Sequence, residues 1–110
     1  MASITFQVQG SASVPYEVVF SREGSNLTAT CTCPAGLVGQ YCKHRFNILY
    51  GAVDDIVSNN ENEVATVVGW LPGTDVEAAM KVVAAAEAEV ERAKKAATAA
   101  KKSLARVMRD

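Results

Sequence analysis

The chain has 110 residues, of which 49% are hydrophobic and 21% charged, with a formal net charge of −1. That length suits one ordinary domain with an extension, and no stretch approaches the roughly 20 apolar residues that a membrane span needs. No charged-then-apolar leader opens the chain, so the expectation is a soluble protein, not secreted and resident in the cytoplasm.

Near the start, Ile4, Phe6 and Val8 alternate with polar residues, the pattern of a half-buried strand. Pro15 to Phe20 and Leu27 to Cys33 predict two more strands, on either side of the polar turn Ser21-Arg22-Glu23-Gly24-Ser25-Asn26. The three should pair as an antiparallel sheet. Leu27 and Ala29 share parity with Cys31 and Cys33, so the face that carries the sulfurs also faces the core.

All three cysteines and the only histidine fall next, as Cys31-Thr32-Cys33, eight residues, then Cys42-Lys43-His44. Three thiolates and one imidazole complete the tetrahedral set that Zn²⁺ prefers and leave no coordination position open. Residues two apart on a strand point the same way, so Cys31 and Cys33 can offer both sulfurs to one point. The segment between the pairs begins with Pro34 and contains Gly36 and Gly39, which let the chain double back. Cys42 and His44 precede Phe46, Leu49, Val53 and Ile56, spaced by three and four, so a helix is expected from about Lys43 to Val57, ending at Ser58-Asn59-Asn60. Its N-terminus would favour thiolate over thiol. Other readings of the four residues are weaker. A disulfide leaves an odd thiol, Cys42 and His44 lack an orienting third residue for nucleophilic catalysis, and redox dithiols usually have two intervening residues. Three buried free cysteines with a core histidine remain the bland alternative.

A C-x-C pair, a short loop, then C-K-H running into an amphipathic helix after a hairpin resembles the SWIM zinc finger. The resemblance rests on Cys31, Cys33, Cys42, His44 and the intervening Lys43, and covers roughly residues 14 to 57. It implies a zinc-stapled module for nucleic-acid or protein interaction, usually attached to a larger catalytic chain; within 110 residues no such chain is expected, so the host function would be missing or supplied by a partner. A module this small needs its staple, so metal-free protein is expected to lose its N-terminal half.

Beyond it, Val64, Val67, Val68 and Leu71 recur at helical spacing, with Asn60 and Glu63 spaced as a capping box. A short helix is expected, ending at Pro72-Gly73, with Trp70 as a core anchor; the β-branched run also suits a strand. Thr74 and Glu77 form a second capping box. From there to Asp110 no Gly or Pro occurs, which predicts one long helix of roughly 50 Å. Its heptads place Val76, Val83, Val90, Ala97 and Leu104 in one core position and Ala79, Ala86, Ala93, Ala100 and Val107 in the other.

Charge is split along the chain. Residues 1–91 hold four Lys/Arg and eleven Asp/Glu, net −7, whereas residues 92–110 hold seven Lys/Arg and one Asp, net +6. Arg92, Lys94, Lys95, Lys101, Lys102, Arg106 and Arg109 make a basic stripe off the apolar seam. Three readings fit it: a solvated face that complements the helix dipole with a Glu91 to Lys95 pair, antiparallel self-association, or contact with nucleic acid. Lys43 and Arg45 beside His44 could touch phosphates or only offset the −1 of a Cys₃His zinc site. Tyr41 and Tyr50 suit packing better than base stacking.

The expected architecture is α+β: a zinc module over residues 1–58 with a small antiparallel sheet and a helix, a short helix and connector over 59–73, and a long C-terminal helix over 74–110. The expected function is binding by a zinc module, with a protein partner or self-association first and nucleic acid second. No membrane partner and no small-molecule substrate are expected. A closed Cys₃His site has no place for an activated water, and no phosphate loop, dinucleotide fingerprint or metalloprotease pair is present, so no enzyme is expected.

Overall fold

The computed structural model describes residues 2–109. Three strands, β1 (Ala2–Val8), β2 (Tyr16–Glu23) and β3 (Asn26–Cys31), form an antiparallel sheet in the order β1-β2-β3. Glu23 pairs with Asn26, which leaves a two-residue turn at Gly24-Ser25, and Gly24 takes the positive φ of 60° that such turns demand. Register sets the faces. Phe6 pairs with Val18, Phe20 with Ala29 and Val18 with Cys31, so Phe6, Val8, Val18, Phe20, Leu27 and Cys31 are all buried on one side. Phe6 meets Phe20 edge to face with ring centroids 6.0 Å apart.

Four helices follow: α1 (Pro34–Leu37), α2 (Lys43–Leu49), α3 (Val64–Trp70) and α4 (Asp75–Arg109), with a 3₁₀ turn at Glu61–Glu63 before α3. Ile48 and Leu49 of α2 and Val64 and Val67 of α3 are buried, and α3 packs on α2. Helical spacing therefore outweighed the β-branched content of Val64 to Val68. Trp70 is half-buried, and its carbonyl accepts a 2.7 Å hydrogen bond from Arg22 Nη1, which ties the end of α3 to β2.

Three expected boundaries moved. The second strand runs past Phe20 to Glu23, because Ser21, Arg22 and Glu23 still find partners on the third, and the six-residue turn shrinks to Gly24-Ser25. The third strand stops at Cys31 because Pro34 opens a helical turn that Cys33 caps. The helix after the histidine ends at Leu49 and does not reach Val57. Gly51, at φ 94°, donates to Ile48 O, and Ala52 donates to Asn47 O, the paired bonds of a Schellman stop. The released segment runs along the free edge of β1. Ile56 bridges Val8, Gln9 N donates to Asp55 O and Val57 N donates to Gln7 O. Ser58 Oγ accepts from Gln7 N, and Asn59 turns the chain at a φ of 63°. An otherwise open sheet edge is thereby covered.

The capping box at Asn60 does not form. Glu63 N donates to the Asn60 backbone carbonyl, while the Asn60 side-chain amide donates to Thr5 O and to Glu63 Oε1. At Thr74 the first half of the box forms, with Glu77 N donating to Thr74 Oγ1 at 3.2 Å, while Glu77 Oε1 accepts at 3.1 Å from Gly73 N, one residue before the cap. Asp75 joins the cap to the hairpin, since its N–H donates to Ser25 O and its carboxylate accepts from Leu27 N.

The chain divides into two compact units, one through Glu77 and one from Ala78 onward. The short α3 belongs to the unit that holds the sheet. From Lys81 to Arg109 every residue of α4 is exposed. Among the described residues no helix is long and apolar enough to cross a membrane.

Candidate metal centre

The end of β3, the cap of α1 and the cap of α2 deliver the four expected side chains to one point. Cys31, Cys33 and Cys42 are buried, His44 is half-buried, and one ligand atom from each lies within 4.8 Å of all the others. Cys33 Sγ is 3.3 Å from Cys42 Sγ, and His44 Nδ1 is 3.5 Å from Cys42 Sγ and 3.8 Å from Cys31 Sγ. A tetrahedron with Zn–S near 2.3 Å and Zn–N near 2.0 Å has edges of about 3.8 Å between sulfurs and about 3.5 Å between sulfur and nitrogen. The donor set therefore fits a zinc ion in type, number and spacing, with His44 presenting Nδ1. No disulfide competes, since all three thiols are free.

Backbone donors prepare the sulfurs. Gly36 N donates to Cys33 Sγ at 3.3 Å. Burial pushes both remaining thiols up, but at Cys42 the backbone N–H of Arg45 and hydrogen bonds within the cluster prevail and bring it down to about 6. Cys42 caps α2, so the expectation of a helix start that favours thiolate holds there. At Cys31 burial dominates, with Cys33 and Cys42 sulfurs adding to it, and the thiol is pushed up to about 12. A bound metal overrides this difference by deprotonating each coordinating thiol outright.

Close approaches hold the ligands in place; the sequence marks Gly36 only as a residue that lets the chain double back, and Gly10 and Tyr16 carry no signal of their role in the sequence. A Cβ on Gly36 would fall 2.4 Å from Cys31 O, so α1 can press against the end of β3 only through glycine. A Cβ on Gly10 would fall 2.4 Å from the Tyr16 ring, which itself lies on His44 with centroids 5.0 Å apart. Arg45 donates from Nη1 to Ala29 O at 3.2 Å and from Nη2 to Gln40 O, locking α2 to β3 and to the loop. Its Nε is buried without a hydrogen-bond partner among the described residues.

Residues 6–45 match the family model of the SWIM zinc finger. The chain carries a SWIM zinc finger. The match starts within β1 and ends one residue past the last ligand, so the finger takes in the first strand that the motif alone left out. No solved structure matches the chain. The residues proposed for nucleic-acid contact fall in two units, Lys43 and Arg45 in the SWIM finger and the rest on α4. The Arg45 guanidinium is engaged by backbone carbonyls. Lys43 is exposed on the rim of a cavity of about 280 Å³ that Asn47, Asp54 and Asp55 also line, so acids share its surroundings. Tyr41 is exposed and stacks on Phe46 at 4.4 Å, and Tyr50 is exposed as well. The other seven cations all lie on the outer half of α4 and are exposed. Arg92 pairs with Glu89 at 3.9 Å and Lys94 with Glu91 at 3.8 Å, so Glu91 takes Lys94 and not the expected Lys95. Such exposed pairs contribute a few tenths of a kcal/mol each, about 0.3–0.5 at helical spacing.

Proposed function

We propose that the chain is an interaction module without catalytic activity, in which the SWIM finger is the metal-stapled base and α4 recruits a protein surface. The observation that carries this reading is the uncovered seam of α4. Val83, Val90, Leu104 and Val107 are 42%, 54%, 55% and 69% exposed on the heptad positions of one face. Helices that are stable alone do not need a sustained apolar heptad, and one that keeps it is built to meet another helix or groove. The closed Cys₃His set leaves the metal no position for a reacting water, which supports a structural role for zinc.

A photo-crosslinking residue at Val90, on the seam, against one at Thr98, on the polar side, tests this in zinc-loaded protein. Protein adducts from Val90 and none from Thr98 are expected. Adducts with nucleic acid, or none from either position, overturn the reading. Nucleic-acid binding is the second reading, supported by the seven exposed cations of residues 92–109. Titration with duplex and single-stranded DNA, for the full chain and for a truncation before Arg92, separates the two. Phosphate contacts would make the affinity fall steeply with salt and vanish in the truncation.

A further inference from the structure

We infer that the occupant of the α4 seam is a second copy of the chain, docked antiparallel along the full helix, with Glu87 facing the partner's Lys94. This rests on the interaction reading above and names its partner. Antiparallel pairing sets each first-position residue against a second-position residue. Val83 then meets the partner's Ala100, Val90 the partner's Ala93, and Leu104 the partner's Ala79. Three of the five layers thus set a large residue against a small one, while Val76 meets the partner's Val107 and Ala97 the partner's Ala86. A parallel pair in register would stack Ala79, Ala86, Ala93, Ala97 and Ala100 each on its own copy, while Val83, Val90 and Leu104 on theirs would hold the helices apart.

Charge selects both orientation and register. A parallel pair would lay the seven cations of residues 92–109 alongside seven more. Antiparallel pairing brings them against the half that carries Asp75, Glu77, Glu87 and Glu89. On the flank of the seam the full-length register sets Glu87 against the partner's Lys94, and the reverse, with Met80 against the partner's Lys101. Sliding by one heptad in one direction puts Lys94 on the partner's Lys94, and in the other direction Glu87 on the partner's Glu87. The second slip loses both ion pairs, and the first adds a Lys94–Lys94 contact to its two Glu87–Lys101 pairs, so on this flank only the full-length register has ion pairs without a like-charge contact. Glu87 and Lys94 both lie in the exposed stretch of α4, and the Lys94 pair with Glu91, at 3.8 Å and with both side chains exposed, is loose enough to be shared.

Sedimentation equilibrium of the zinc-loaded full chain tests the arrangement, using wild type, Glu87→Lys, Lys94→Glu and the double variant. All substitutions exchange exposed residues of good helix propensity, so the variants retain their fold, with zinc content and circular dichroism as controls. Wild type is expected to be a dimer that weakens as salt rises from about 0.1 M to about 1 M and the screening length falls from about 10 Å to about 3 Å. Each single variant should raise the dissociation constant about tenfold, because two ion pairs become two like-charge contacts, and the double variant should return to within about threefold. A double variant no stronger than Lys94→Glu alone overturns the antiparallel register, since a parallel pair would set Lys94→Glu against the partner's Glu89 and gain nothing from Glu87→Lys. Monomeric protein at all concentrations overturns the second copy as occupant. If Val90 then still forms adducts with other proteins, the interaction reading survives; if it forms none, both fall.

Discussion

Gly36 has no room for a side chain, because a methyl group there would meet the Cys31 carbonyl oxygen at 2.4 Å and its Cβ at 2.9 Å. Both are parts of a strand end that is fixed by a metal ligand, so neither can yield cheaply. Gly36→Ala is expected to destabilise the zinc-loaded protein by about 2 kcal/mol or more and to weaken zinc binding. Gly69→Ala, where nothing lies within 4 Å, is the control in denaturant unfolding and should be neutral or slightly stabilising. The sulfurs make a second prediction. In the metal-free site Cys31, pushed up to about 12, holds its proton through the neutral range, so zinc must expel it. Cys42, brought down to about 6, is already ionised above that pH and gives up a proton to zinc only below it. The zinc association constant should therefore rise with pH by at least about one log unit per pH unit between about pH 7 and 9, and more steeply below about pH 6. Competition titrations against a chelator would show this, and an affinity independent of pH above 7 would contradict it. All four ligands were legible because their chemistry is written in their residue types and spacing. Gly10, Tyr16, the close fit of Gly36 and the inward role of Arg45 were not, since each depends on how the chain folds back on itself, which residue type and spacing do not report.

Helices and strands were legible wherever periodicity and punctuation agreed. Parity along β1 and β3 identified the buried face, and Thr74 with Glu77 marked the start of α4. Agreement failed after the metal site. Val53 and Ile56 continue the helical spacing of Phe46 and Leu49, yet Gly51 terminates α2 and Ile56 reaches Val8 on the edge of the sheet. A spacing of three or four residues carries no information about which element receives the side chain, whereas a glycine near the end of a short apolar run does. Gly51→Ala tests that termination. At a φ of 94°, with open space around the Cβ position, the cost is conformational and not steric, about 1 to 2 kcal/mol. Thermal unfolding should show this loss with zinc stoichiometry unchanged, because Cys42 and His44 sit at the opposite end of α2. An unchanged melting temperature would mean that the Schellman bonds of Gly51 and Ala52 do not set the end of the helix. At Asn60, by contrast, the side chain had a better partner in Thr5 O across the sheet edge, which no local capping rule anticipates.

Zinc and helix propensity stabilise different parts of the chain, and removing the metal separates them. The unit through Glu77 is of a size at which burial and conformational entropy nearly cancel, and its core is largely Phe6, Val18, Phe20, Leu27 and a few residues from α2 and α3. A closed zinc site supplies free energy on the order of 10 kcal/mol to such a unit, comparable with the whole stability of a small domain. From Lys81 on, α4 buries nothing, yet the helix runs for 35 residues with abundant Ala, Glu, Lys and Arg, well beyond the roughly 12 to 15 at which isolated helices become marginal. Chelation at neutral pH is therefore expected to abolish the near-ultraviolet signal of Trp70 and the hydrogen-exchange protection of β1 to β3, while much of the far-ultraviolet helical signal persists. Re-addition of zinc should restore the sheet. Full protection of the strands in metal-free protein would show that the apolar core suffices without the ion. Simultaneous loss of all helicity would show that α4 draws its order from the metal-bound unit and not from its own sequence.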